Sequence, residues 1–256
     1  MKRFLTLLLA TCLLAACGCR AAGTAQGGTA PDAPPPDGAA ILSATIVSVE
    51  QDGLLLAGSG AYEGVYRVGI KDVPVLLNGQ PADAAALRVG RTVEITFDGA
   101  VAECYPAIPS GVTRIAVTEA EIGPVALYLQ VFDDLMEMDT ALSEDIRYIG
   151  VDLSTVSNLS ASERDAVCWR LGERYGAEPV AGTFDALCDA GYIDREALYW
   201  EDGVFLQIEL TEAGEDALAF DAQKWRSGLG ANFFEDCTAR RTAAGWTYEV
   251  GALAVS

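Results

Sequence analysis

The sequence predicts two β-rich domains: a small all-β barrel over 41–120, then an α+β domain over 124–256 with helices packed on an antiparallel sheet. Three observations carry that expectation. From Ile41 to about Thr118 apolar residues recur with a period of two, between frequent Gly, Asn and Asp turn signals. Gly123-Pro124 interrupts this pattern, and helical periods follow it. From Leu198 onward the period returns to two.

Two segments precede the first strand. After Lys2 and Arg3, Phe4 to Ala16 is an apolar run of roughly 13 residues, closed by Leu14-Ala15-Ala16-Cys17. A helix crossing a bilayer needs about 20 residues. A basic start, an apolar stretch, small residues and a cysteine match a bacterial lipoprotein signal, 1–16, with cleavage after Ala16 and lipid on Cys17. Ordinary secretory cleavage and an uncleaved anchor are the competing readings. Two or three acyl chains, at about 0.8 kcal/mol per buried methylene, make a durable anchor. The expected address is the cell membrane, facing the extracytoplasmic side. Arg20 to Ala40 contains Pro34-Pro35-Pro36 and no apolar periodicity, so 17–40 reads as the lipidated cysteine and a flexible tether spanning about 25 Å.

Composition narrows function. The formal charge is −20, from 17 basic and 37 acidic residues. Such a chain is repelled by nucleic acid, whose affinity comes from neutralised phosphates, and by anionic headgroups. The expected partners are the membrane, through the lipid, and an envelope protein or anionic wall ligand. Histidine is absent, which excludes Ser-His-Asp and Cys-His catalysis, the common zinc hydrolase sites and imidazole switching. No SxxK, HExxH, P-loop or GxGxxG helix occurs. No catalytic residue, metal or cofactor is therefore expected. Beyond Cys17, Cys19, Cys104, Cys168, Cys188 and Cys237 lack CxxC spacing. Cys168 with Cys188 is the candidate disulfide of an exported protein; buried free thiols are the alternative.

In the first domain, strands are expected at Ile41–Glu50, Leu54–Ala57, Val65–Ile70 and Pro74–Leu77, the last leading into the tight turn Asn78-Gly79. Pro81 to Leu87 fits about two helical turns. Arg91–Phe97, ending at Asp98-Gly99, and Val112–Val117 complete the set. Five strands with a short helix before the fourth is the plan of an OB-like barrel. The stretch Leu87-Arg88-Val89-Gly90-Arg91-Thr92-Val93-Glu94-Ile95-Thr96-Phe97-Asp98-Gly99, followed by Glu103-Cys104-Tyr105-Pro106, resembles the small YobA-like domain of bacterial lipoproteins over roughly 41–118. Cys104 departs from the small hydroxyl residue expected there. The resemblance implies architecture and location, and no mechanism. Glu103 and Tyr105 are candidate ligand contacts at a strand end, or else fix that edge.

In the second domain, Val125–Met138 is amphipathic, with Tyr128, Val131, Phe132 and Leu135 on one stripe. Asp133 and Glu137 share its other face, the geometry of an acid/base pair, although glycosidase pairs need a cleft between them. Tyr148–Leu153 reads as a strand. Ser160 with Glu163 forms a capping box opening a helix from about Ser162 to Tyr175, and Thr183 caps a shorter helix stopped by Gly191. A hairpin of Leu198–Trp200 with Val204–Leu210 would complete a winged helix, a DNA-binding plan that charge and address contradict. Leu218–Arg226, Ala231–Ala239 and Gly245–Val255 then form an antiparallel run, giving an α+β domain, cystatin-like or NTF2-like. Tyr148–Leu153 and Lys224–Ala231 are similar to modules of bacterial envelope lipoproteins without known activity.

One cluster stands out in a chain short of cations. Lys224, Trp225, Arg226, Arg240 and Arg241 lie close in sequence, with Lys224 and Arg226 on one strand face and Trp225 opposite. They read as a cationic patch for an anionic ligand, or as neutralisers of nearby carboxylates. The leading function is a non-enzymatic binding or scaffolding lipoprotein. The alternative is a carboxylate-dependent glycan or cell-wall hydrolase, and a solute receptor of two larger lobes is a third class.

Overall fold

The computed structural model describes residues 38–118 and 122–256. The predicted leader, Cys17, Cys19 and the tether up to residue 37 lie outside the described residues. The described residues are mostly β and form two large open sheets, a two-stranded ribbon and three α-helices.

The first sheet is built from β1 (Ala40–Val49), β2 (Gly53–Gly58), β3 (Gly64–Gly69), β4 (Val75–Leu77), β5 (Gln80–Ala82), β6 (Thr92–Phe97) and β9 (Arg114–Val117), in the order β3-β2-β1-β6-β9-β4-β5. Between β6 and β9 a small hairpin joins β7 (Val101–Ala102) to β8 (Ile108–Pro109). The expected closed barrel is corrected: β3 and β5 end the sheet and do not pair. Edge strand β5 carries Pro81, which has no N–H for a ladder. The outer edge of β3 is taken by Ala107, whose carbonyl accepts from Arg67 N–H at 2.8 Å and whose N–H donates to Val65 O at 2.9 Å. The helix expected over Pro81–Leu87 shrinks to one 3₁₀ turn, Ala84–Ala86, capped by the Asp83 carboxylate. Asn78 (φ 52°) and Gly79 (φ 77°) turn the chain back, so residues 80–82 become strand instead.

One face of this sheet encloses Leu42, Ile46, Leu54, Leu56, Ile95, Phe97 and Ile115. Its other face is not solvent-facing. Val47, Leu55, Ala57 and Val65 belong to a cluster that also holds Val125, Phe132, Val167, Leu171 and Leu206. The core therefore continues across the Gly123-Pro124 punctuation. The unbroken run Leu54-Leu55-Leu56-Ala57, buried throughout, is the sequence trace of this two-sided burial.

The rest of the chain supplies α1 (Val125–Glu137), β10 (Tyr148–Asp152), α2 (Ala161–Tyr175), β11 (Glu178–Ala181), α3 (Phe184–Asp189), β12 (Gly203–Ala213), β13 (Ala217–Ser227), β14 (Gly230–Thr242), β15 (Gly245–Glu249) and β16 (Ala252–Val255). The sheet order is β11-β10-β12-β13-β14-β15, with β16 pairing to β14 beside β15. It is mixed, not antiparallel as expected, because β10 runs parallel to both β11 and β12. Its connection to β11 is the helix α2, the crossover a parallel pair requires. Sequence reading missed β11; Pro179 conceals it and is tolerated because β11 is an edge strand.

The expected Leu198–Trp200 strand does not form, and the winged-helix plan goes with it. Trp200 instead fills a second core with Leu187, Ile193 and Phe205. At Gly203 a Cβ would lie 2.0 Å from the Trp200 ring, so only glycine admits that packing. The capping box of α2 is present: the Ser160 hydroxyl accepts from Glu163 N–H, and the Glu163 carboxylate accepts from Ser160 N–H.

Lys224 is fully buried on β13 and caps the end of α1. Its ammonium donates to the carbonyls of Met136 (3.5 Å), Met138 and Asp139 (3.1 Å); the helix leaves the first two unsatisfied, while the Asp139 carbonyl also accepts from Leu142 N–H at 3.1 Å. Burial pulls its pKa down to about 8, against an opposing upward pull from Asp139. Lys224→Met is expected to destabilise the protein by about 2 kcal/mol, because it strands the carbonyls of Met136 and Met138. Between pH 8 and the ordinary lysine value the unfolded chain binds the extra proton, so wild-type stability rises with pH there relative to the variant. Urea unfolding of both proteins at pH 7 and pH 9.5 measures both effects.

Candidate functional site

A groove of about 330 Å³ runs between the first sheet and the two long helices. Strand β1 contributes Val47, Ser48 and Val49; the loop before β6 contributes Val89. Ala126, Leu129, Gln130 and Asp133 come from α1, and Arg170 and Arg174 from α2. The groove exists because α2 docks on the outside of the first sheet. Ser162 Oγ accepts from Gly64 N–H (2.8 Å), Glu163 Oε1 from the Thr45 hydroxyl (2.8 Å), and Glu173 from Arg67. Five apolar side chains and five polar or charged ones share this open lining, so an apolar wall stands beside convergent polar groups.

Asp133 is the polar centre of the groove. Its Oδ1 accepts from the Tyr175 hydroxyl at 2.7 Å and pairs with Arg174 Nε at 2.9 Å. Burial raises its pKa, while the Tyr175 bond, Arg174 and Arg170 oppose the rise and Asp134 adds to it. Glu137, its proposed companion, is exposed. The predicted acid/base pair therefore does not face itself across a cleft: Asp133 is held by a tyrosine and an arginine. Asp134 is similarly occupied, accepting from the Tyr248 hydroxyl.

The predicted cationic patch is not assembled. Lys224 is buried under α1, and Arg226 donates to the carbonyls of Leu142 (3.2 Å), Glu144 (2.8 Å) and Glu201 (2.7 Å). Trp225 lies on the opposite face, edge-on to Phe184 at 5.0 Å. Arg241 pairs with Asp216 at 2.6 Å and sits over Trp246, while Arg240 is exposed. Lys224, Arg226 and Arg241 pin parts of the structure together, and with Arg240 and Trp225 they do not form one surface. Glu103 is exposed, and Tyr105 rests edge-on against Trp169 of α2 at 5.1 Å, docking the β7–β8 hairpin on the helix. Cys104, Cys168, Cys188 and Cys237 are free thiols, so the candidate Cys168–Cys188 disulfide is absent. Those two cysteines point into different cores.

A second, smaller depression of about 200 Å³ lies on the face of the second sheet that α1 and α2 leave uncovered. Glu209, Asp221 and Glu235 line it beside Gln207 and Gln223. The Gln223 amide donates to Gln207, which donates to Asp152 at 2.9 Å, a ladder across three strands. Asp221 Oδ1 is engaged by Asp236 N–H at 2.8 Å. Among the described residues no group of histidines, cysteines and carboxylates is arranged to hold a metal ion.

Sequence reasoning missed Ser48, Arg170 and Arg174. A signal was present: two arginines four apart on α2 repel one another on a helix surface, an arrangement that an acidic chain gains nothing from unless something lies between or beside them. Asp133→Asn keeps an acceptor for Tyr175 and removes the buried charge. Because burial raises the folded-state pKa of Asp133, wild type loses stability relative to this variant as pH rises from the ordinary carboxylate range through the raised value, and the difference is constant above it. Thermal unfolding of both proteins from pH 3.5 to 7.5 checks the sign. No protein-family model, no curated protein and no solved structure matches this chain, so the site is read from its own geometry.

Proposed function

We propose that this chain is a membrane-tethered extracytoplasmic lipoprotein that binds a small ligand in the β1–α1–α2 groove and performs no chemistry on it. The groove carries the reading: about 330 Å³ with an apolar wall beside polar groups, an open guanidinium and no facing carboxylate pair. The leader ending at Leu14-Ala15-Ala16-Cys17 supports the address, as does the resemblance of 41–118 to the YobA-like domain of bacterial lipoproteins. For 124–256 the reading takes helices on a sheet in the manner of cystatin-like or NTF2-like binding proteins. Hydrolysis of glycan or wall is disfavoured by the state of its best candidates, since Asp133 is engaged by Tyr175 and Arg174 while Glu137 faces solvent.

Two measurements test the reading. Cys17→Ala is expected to move the protein from the membrane fraction to the soluble fraction of the envelope, and retention in the membrane overturns the lipid anchor. A photo-cross-linking side chain at Val49, on the groove rim, is expected to yield a small-molecule adduct in envelope extracts, whereas the same probe at Leu229, 91% exposed on the far sheet, yields none. Equal labelling at both positions overturns the groove. Turnover of wall glycan that Asp133→Asn abolishes replaces binding with catalysis.

A further inference from the structure

We infer that the groove takes a monoanionic aliphatic carboxylate, with its charged end on Arg170 and Ser48 and its chain along Val49, Val89 and Leu129. This rests on the reading of the groove as the ligand site and names the chemistry of the occupant. Arg170 is half-buried, lines the groove, and makes no hydrogen bond or ion pair with any described residue. Its charged neighbour Asp133 already holds Arg174 and the Tyr175 hydroxyl. Ser48 is 3% exposed and also lines the groove, and its hydroxyl makes no hydrogen bond with any described residue.

A guanidinium and a hydroxyl without protein partners on one groove are free to meet a ligand acceptor, and arginine offers a carboxylate two parallel N–H donors. Local charge selects a single negative charge. Arg170 and Arg174 against Asp133 leave one surplus positive charge, whereas a phosphate monoester brings about −1.5 to −2 into a chain whose formal charge is already −20. The apolar wall selects the remainder of the ligand: Val49 is 39% exposed, and Val89, Ala126 and Leu129 are half-buried. Octanoate joins such a charge to an apolar chain and serves as the probe.

The test is calorimetric titration of the full chain carrying Cys17→Ala with octanoate, octanol and octylammonium at one ionic strength. Octanoate is expected to bind one-to-one, octanol about tenfold more weakly, and octylammonium not at all. Arg170→Ala is expected to weaken octanoate about tenfold and leave octanol unchanged, with Arg170→Lys recovering part of the loss. Val49→Trp, at an exposed position, fills the groove and blocks both ligands; circular dichroism of each variant establishes folding. Octanol binding as tightly as octanoate, and still blocked by Val49→Trp, overturns the carboxylate while leaving the groove as a ligand site. Octanoate binding that neither Arg170→Ala nor Val49→Trp alters places it elsewhere and overturns the inference. Absence of all three ligands overturns it as well, and the adducts at position 49 then decide the groove reading separately.

Discussion

The structure depends on helix α2 being buried on two sides. Val167, Cys168 and Leu171 enter the core beneath the second sheet, while Ser162, Glu163 and Glu173 bond to β1 and β3 of the first. Without that helix, Val47, Leu55, Ala57 and Val65 would form an exposed apolar patch. Each such side chain contributes about 1.5–3 kcal/mol when removed from water. Gly172 shows how close the packing is, since a Cβ there would meet Pro179 and the Ala177 carbonyl at under 3 Å. The groove is a by-product of this docking, lined by β1 on one side and by α1 and α2 on the other.

Scarcity of positive charge shapes the rest. Most cations with defined contacts are used as pins on backbone carbonyls or carboxylates. Lys224 holds the end of α1, Arg164 donates to Val156 and Leu159, Arg226 fastens the loops after α1 and before β12, and Arg241 pairs with Asp216. Charge-assisted bonds of this kind are stronger than neutral ones, and a buried ammonium is tolerated only because oxygen atoms surround it. Arg170, which lines the groove, is not one of these pins.

Binding and catalysis make different demands on a carboxylate. A general acid or base must reach the substrate proton, whereas the Asp133 oxygen that faces its neighbours is occupied by a phenol and a guanidinium. Such a group orients Arg174 and Tyr175 and shapes the groove wall. The carboxylates on the open face of the second sheet lie in a smaller depression, with Asp221 engaged by the Asp236 N–H.

By itself the sequence determined what short-range forces decide. Period-two alternation located most of the long strands, the stripe of Tyr128, Val131, Phe132 and Leu135 marked the buried face of α1, and Ser160 with Glu163 set the start of α2. Asn78-Gly79 was legible as a turn because both residues adopt positive φ. Those features arise within a few residues of chain. Tertiary structure alone decided that β10 pairs in parallel with β11 and β12, that the first sheet stays open, and that Cys168 and Cys188 remain apart. It also decided that Lys224 lies under a helix end 85 residues away in sequence while Arg170 stays open. Strand partners and the burial of one particular face are set by contacts between distant segments, and alternation along a strand shows that a face is buried without showing what covers it.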